Sequence, residues 1–414
     1  MVESSFVQIE IKSTPKDWEI TKLGDVCNQR NKIIQPSGKG EHKFVGLEHV
    51  NPGEIRIHKY QLDTDIKSSK FKFYKGDILY GKLRPYLDKA AIADFEGICS
   101  TDLLVLTAKN NTTIADFLIY LIHSDQFIQN SISATSGTNH PRTSWKEISK
   151  FKFGLPPLPE QRRIAEVLGT VDSAIQKVGS AIEGTERLKK GLMQRLLTRG
   201  IGHERFKESE VGRIPEEWKA AKLGDISRIK YGLGQPPQTK NDGVPMIRAT
   251  NINSGKIFEK GVLKIDITKI PTTREVFLKE GDIIVVRSGA YTGDVGLVTK
   301  KWEESVAGYD LIVSSNRDKV EPRFLSNYLL SPQIQKICFM GLKTRSAQSH
   351  LNSNQLENIS VALPPLPEQR RIAEILSAAD RKLELERRRK EKLERVKKGL
   401  MNDLLTGRKR MKVN

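Results

Sequence analysis

Residues 155–168 read LPPLPEQRRIAEVL, and residues 363–376 read LPPLPEQRRIAEIL, thirteen of fourteen identical at an offset of 208. A match of this length makes the chain a tandem duplication. Its period is far too long for a short-repeat solenoid, so each copy is a domain-sized module. KKGLM recurs at Lys189–Met193 and Lys397–Met401, again 208 apart. WEITKLGDV from Trp18 and WKAAKLGDI from Trp218 lie 200 apart, and GDILYGKLRPY from Gly76 and GDIIVVRSGAY from Gly281 lie 205 apart. The drifting offset places small insertions in a diverged part of the module. Each module is therefore a variable domain followed by a nearly constant tail: variable residues 1–155 and 201–363, constant residues 156–200 and 364–414.

The constant tails read as helices. Prolines 156, 157 and 159 come first, and none follows until Pro215. Proline is tolerated in a first helical turn but not in the interior. Ile164, Leu168, Val171, Ile175, Val178 and Ile182 keep a four-three rhythm, which lays a stripe along one helix face, and the stripe resumes out of phase at Leu188, Leu192 and Leu196. A helix over about 160–199 is ~60 Å long at 1.5 Å per residue. The second tail, about 368–407, repeats the stripe with Ile372, Leu376, Ala379, Leu383, Leu393, Val396, Leu400 and Leu404. The first tail ends where the second variable domain begins, and the second tail starts where that domain ends. Domain termini often lie close together, so the two helices should run antiparallel. One register pairs Ile164 with Leu404, Leu168 with Leu400, Ile175 with Leu393, Leu192 with Leu376 and Leu196 with Ile372. The alternative is that each tail packs only on its own domain. Gly169, Gly179, Gly184 and Gly191 weaken the first helix and leave room for a kink; Gly191 and Gly399 mark either close backbone approach or simple inheritance from the duplication.

Both variable domains read as mixed β and α. β-Prone runs at 43–50, 77–80, 91–93 and 103–106 have counterparts at 245–252, 282–286, 295–298 and 311–313, and helical stretches follow at 114–133 and 322–340. The fold class is α+β: two mixed α/β domains in tandem, joined by two long antiparallel helices in a coiled-coil spacer, with approximate two-fold symmetry.

Net charge is +19, and residues 364–414 hold sixteen basic against eight acidic side chains. An excess of that size suits a polyanionic partner, most often nucleic acid. Loops that combine basic, amide, hydroxyl and aromatic groups are the candidate contacts, because arginine reads guanine edges, amides read adenine edges, and lysines hold phosphates. In the first domain these give Arg30, Lys32, Lys82, Arg84, Tyr86, Asn139 and Arg142; in the second, Lys230, Arg287, Tyr291, Lys343, Arg345, Gln348 and His350. No GxxxxGK[ST] loop, HExxH or CxxC pair occurs, and seven histidines are scattered. We therefore expect a binding and scaffolding protein with no catalytic residue, metal or cofactor. Three scattered cysteines, Cys27, Cys99 and Cys338, suit a reducing cytoplasm. No apolar run is long enough to cross a bilayer.

The doubled LPPLPEQRRIAE motif follows a GDI-bearing variable domain each time and precedes a helix ending KKGLMxxLLT. This arrangement resembles the specificity subunit of Type I restriction-modification systems over nearly the whole chain. RFKESEVGRIPEEW, from Arg205 to Trp218, looks like that family's entry into a second target-recognition domain, and STPKDW keeps part of it near the N-terminus. The resemblance implies that each variable domain reads one half of a bipartite site on double-stranded DNA. It implies that the helices set the spacer and bind two modification subunits, with restriction subunits joining them and supplying the chemistry. It also implies hinge and docking roles for Pro156, Pro159, Glu160, Gln161 and Arg162, and for Pro364, Pro367, Glu368, Gln369 and Arg370. A stand-alone two-domain DNA-binding regulator is the alternative, and a single-chain nuclease or methyltransferase a weaker one.

Overall fold

Proline sets where each long helix begins. The computed structural model describes residues 14–135, 137, 140–234, 237–270, 275–336 and 350–412. In it the long helices span Leu158–Arg199 and Leu366–Leu405. Each starts two residues before the expected point, because Pro159 and Pro367 fall in the first turn, whose N–H groups have no helical acceptor. The first ends at Gly200, with φ of +65°, and Gly407 takes +74° just past the second. Both are left-handed stops that suit glycine. At Gly200 a Cβ would also collide with the Glu368 carboxylate.

The chain divides into two units: one joins two distant stretches, Met1–Gly179 and Arg388–Asn414, and the other is the continuous stretch Ser180–Arg387. In the first unit a four-stranded antiparallel sheet runs in the order Cys27–Arg30, Leu103–Ala108, Ile78–Gly81, Ala90–Ile92. In the second the order is Ser227–Tyr231, Leu311–Ser315, Ile283–Val285, Val295–Leu297. The inner strands carry apolar runs, Leu103–Leu106, Ile78–Tyr80, Leu311–Val313 and Ile283–Val285, because both faces of the sheet are covered there, whereas the edge strands Cys27–Arg30 and Ser227–Tyr231 are largely polar. Leu104 and Leu106 point into a core with Phe117, Phe127 and the long-helix residues Ile164 and Leu168. Leu103 and Val105, one step along, point into another core with Val45 and Phe73. Ile283, Val285, Leu311 and Val313 likewise face Phe324, Ile372 and Leu376, while Ile284 and Ile312 face Ile247 and Trp302. A second sheet supplies that outer layer: five strands in the first unit, three in the second, each containing one parallel pair.

Several expected elements are shorter than the pattern suggests. The run at 43–50 is a strand only over Lys43–Val45. It then turns through Leu47–His49, where the His49 ring accepts the Gly46 N–H at 2.8 Å. The helix expected over 114–133 breaks into Ala115–Ile122 and Asp125–Ser133, because Ser124 accepts the Phe127 N–H and caps a new start. Its counterpart breaks after Pro322–Leu329, where Ser331 caps Pro332–Ile334; residues 337–340 of that expected helix lie outside the described ones.

Within each unit, segments of both long helices meet in opposite directions. In the first, Ile164, Leu168, Leu404 and Leu405 share one core, with Leu400 against it, and Asp172 pairs with Lys397 at 2.7 Å. In the second, Leu196, Ile372 and Leu376 share a core with Leu192 against it, while Lys189 meets Asp380 at 2.6 Å and Glu186 meets Arg387 at 2.6 Å. The two lysine–aspartate pairs are copies of one another, and each falls one residue from the apolar register set out above. Ile175 and Leu393 are only half-buried. Leu188 and Val396 belong to the expected stripe but are 57% and 43% exposed. The adjacent Lys189 and Lys397 face the other helix instead, since each must reach an aspartate there. Tyr120 donates to Asp172 at 2.7 Å, so that carboxylate is doubly held.

The helix glycines mark no close approach. A Cβ at Gly179, Gly184, Gly191 or Gly399 would find nothing within 4 Å among the described residues, and the helical assignment runs unbroken through all four. Gly184→Ala and Gly191→Ala are each expected to raise stability by ~1 kcal/mol, read as a higher urea midpoint. Leu168→Ala and Leu376→Ala, in equivalent sealed cores, should each cost about 3 kcal/mol. A loss under about 1 kcal/mol in either would contradict the packing described.

Candidate nucleic-acid interface

The start of each long helix is tied to its unit by buried polar groups. Gln161 donates to the carbonyls of Pro156 (2.8 Å) and Thr112 (2.9 Å) and accepts from Thr113 and the Ile114 N–H. Gln369 repeats this, donating to Pro364 and Lys319 and accepting the Glu321 N–H. Glu160 accepts the Trp18 indole N–H at 3.0 Å, two bonds from Arg410 and the Met411 N–H; Arg410 also grips Asp17. Burial alone would push the Glu160 carboxyl up, but the bonds from Arg410, Trp18 and Met411 carry it below the usual range. Glu368 accepts the Trp218 indole at 2.9 Å, the His203 ring and the Ile201 N–H.

These contacts divide the motif into anchored and exposed residues. A hinge must change its backbone angles, and a docking residue must reach a partner. Glu160, Gln161, Glu368 and Gln369 are anchored inside their own unit, and Pro156 and Pro364 are buried. Pro159, Arg162, Pro367 and Arg370 are the exposed remainder.

In the first unit two candidate loops meet. The Arg84 N–H bonds the Pro141 carbonyl at 2.8 Å, the Thr143 N–H bonds the Lys82 carbonyl at 3.0 Å, and Leu83 bridges Arg142. Arg84 takes a left-handed φ of +53° before the turn Pro85–Leu87, which leaves Arg84 and Tyr86 exposed. Arg142 leans on Asp102 at 3.3 Å, whereas no described residue accepts a hydrogen bond from the Lys82 or Arg84 side chain. Arg30 is placed differently. Its guanidinium takes both oxygens of buried Asp77, at 3.0 and 3.2 Å, and lies 4.8 Å from the Tyr74 ring centre. Its Nε and one terminal nitrogen are thus committed to Asp77. Lys32 is exposed and bonds the Tyr74 hydroxyl at 3.1 Å. Asn139 lies outside the described residues.

In the second unit the Arg287 guanidinium meets two rings, 4.9 Å from the centre of Tyr231 and 4.5 Å from that of Tyr309. His350 meets Tyr309 edge-on at 6.1 Å. Tyr231, Tyr309 and Tyr291 are each two-fifths to one-half exposed. Lys230 is spent on Glu275, at 2.8 Å. Lys343, Arg345 and Gln348 lie outside the described residues. Tyr309 and Asp310 were not singled out in the sequence. Their Gly-Tyr-Asp setting is an ordinary turn composition, and only the fold brings them to Arg287. Buried Asp310 accepts the Arg287 backbone N–H at 3.2 Å; burial pushes its carboxyl up to about 6, against the pull of that bond and of the guanidinium.

The family model for the Type I restriction modification DNA specificity domain matches residues 15–183 and again 215–395. A Methanocaldococcus jannaschii protein provisionally named the type I restriction enzyme MjaX specificity subunit is 30% identical, over 99% of this chain and 98% of its own. The MjaVIII specificity subunit of the same organism is 29% identical over 99% and 97%. Among solved structures, the S subunit of a Type I restriction-modification system from M. genitalium superposes with a TM-score of 0.62 at 14% identity, covering 94% of this chain and 96% of that one. A chain from work on complex assembly and conformational transition of the type I R-M system gives 0.58 at 20% identity, covering 95% and 98%. At those identities the structural likeness speaks for the fold.

Asp310 gives a pH test. The unfolded chain releases this proton near 3.8 and the folded unit near 6, so the folded state holds it more tightly. Its effect on stability is most favourable below about pH 4, fades as pH rises through 6, and is then constant, a swing on the order of 3 kcal/mol. Asp310→Asn removes the ionisation. The variant should therefore gain melting temperature relative to the parent between pH 4 and 7. A constant difference across that range would show that Asp310 does not titrate as described.

Proposed function

Because the chain belongs to the Type I restriction modification DNA specificity family and so serves sequence recognition on DNA, we propose that its two units read the two halves of one asymmetric bipartite site. The observation that carries this reading is a shared build with different loops. Both units have the same four-strand order, the same glutamine tie and the same tryptophan–carboxylate bond. On the rim where the strand ending at Gly81 or Val285 gives way to a loop, the first unit offers Lys82, Arg84, Tyr86 and Arg142, and the second offers Arg287, Tyr291 and His350 with Tyr231 and Tyr309. Two readers of one design with different side chains suit two half-sites of different sequence. The variable domains 1–155 and 201–363 carry the readers, and 156–200 and 364–414 carry the spacer.

Joining two weak readers in one chain makes the second binding event intramolecular, and so multiplies the affinity of each. The long helices set the tolerated distance between the half-sites and offer exposed Arg162 and Arg370, near their starts, to two modification subunits. Restriction subunits join that assembly. Methylation and cleavage belong to these partners, and this chain supplies the address on double-stranded DNA.

The test is to purify the chain with its modification subunits and sequence the methylated motifs in a random DNA pool. A single two-part motif with a fixed gap is expected, and methylation by the chain alone would refute the division of labour. Deleting one heptad from each long helix should change the gap and leave the base identities alone. Arg84→Ala should relax one half only, costing about 10- to 100-fold there if it contacts a base. Loss of both halves together would count against separate readers.

A further inference from the structure

The two units differ in how they hold the side chain just beyond the strand ending at Gly81 or Val285. The aligned segments that start at Gly76 and Gly281 put Lys82 opposite Arg287. Among the described residues no ring stands over Lys82. Arg287 has two, with the ring centres of Tyr231 and Tyr309 at 4.9 and 4.5 Å from its guanidinium carbon. The Tyr231 hydroxyl accepts the Ser353 N–H at 3.0 Å, and Tyr309 meets His350. The backbone of Arg287 is pinned as well: its N–H goes to Asp310, and its carbonyl accepts the Leu351 N–H at 2.9 Å. Nε is buried with no acceptor, and no described residue accepts a hydrogen bond from the guanidinium. Yet the two rings against it are 42% and 45% exposed, so the cluster opens on solvent.

A surface arginine usually loses much rotamer freedom when it binds. Two rings within 5 Å of the guanidinium, with both backbone polar groups of Arg287 bonded, restrict that freedom beforehand. Holding a phosphate needs charge and reach, which a mobile lysine supplies. Recognising O6 and N7 of guanine needs a planar pair of donors in a fixed orientation. We propose that Arg287, held against the rings of Tyr231 and Tyr309, is the guanine-reading residue of the second unit, presenting its terminal nitrogens to one guanine in the major groove. The inference rests on the half-site reading above. Lys82, lacking such rings, does not make the equivalent contact, so the half read by the first unit is recognised through other groups.

The experiment uses the complex with modification subunits and reads methylated motifs from a random DNA pool. For Arg287→Gln and Arg287→Lys, one guanine position in one half-site should lose its preference by tenfold or more, with the other half unchanged as an internal control of folding. Tyr309→Leu, which keeps the arginine and loses a ring, should relax the same position less. Replacing that guanine with 7-deazaguanine in a fixed substrate should slow methylation by the parent tenfold or more and leave Arg287→Gln unaffected. A uniform loss across all sequences, the signature of a phosphate contact, would overturn the inference, as would unchanged motifs in both variants. If the parent complex shows no two-part motif, the half-site reading itself fails, and this inference falls with it.

Discussion

A carboxylate stands at the start of each long helix, buried at Glu160 and mostly buried at Glu368, and the rest of the architecture depends on how it is satisfied. Taking an ionised carboxylate out of water costs several kcal/mol unless good donors meet it. Glu160 and Glu368 each have an indole and a backbone N–H, plus a basic side chain from elsewhere in the sequence. Each donor lost leaves the carboxylate less well met, so the helix start, the tryptophan and the distant basic residue are fixed together. The glutamine next in sequence does the same for the loop ahead of the domain's own helices. This explains why LPPLPEQRR survived the duplication almost unchanged while the loops drifted. The motif's polar residues are under a packing constraint that surface loops do not share.

The copies are not identical in this respect. Arg410, which also grips Asp17, serves Glu160, whereas His203 serves Glu368. The first partner is a guanidinium and the second an imidazole.

Much of this was legible in the sequence, because periodicity and repetition report on backbone geometry. The helix extents, their opposed directions within each unit, and the mixed α/β domains all follow from stripes, prolines and the offset of 208. Three things were not legible. Ser124 ends a helix that an apolar run alone would continue, since a cap is a local contest between side chain and backbone. Leu188 and Val396 match the stripe but turn outward, because the neighbouring lysines reach aspartates on the other helix. Among the basic residues, composition cannot tell a tethered side chain from an available one: Arg30 and Lys230 are committed to Asp77 and Glu275, and only tertiary contacts show it. The pair of rings against Arg287 was equally hidden, since Tyr231 and Tyr309 are far apart in the chain.

The partition of the chain has a consequence for its synthesis. The first unit needs residues 388–412, which are made only after every segment of the second, complete by residue 387. The half whose translation starts first is thus finished last. A premature stop codon or a protease cut near the C-terminus strips its damage onto the N-terminal reader: Glu160 is left without Arg410, Asp172 without Lys397, and the core around Leu168 open where Leu404 and Leu405 had closed it.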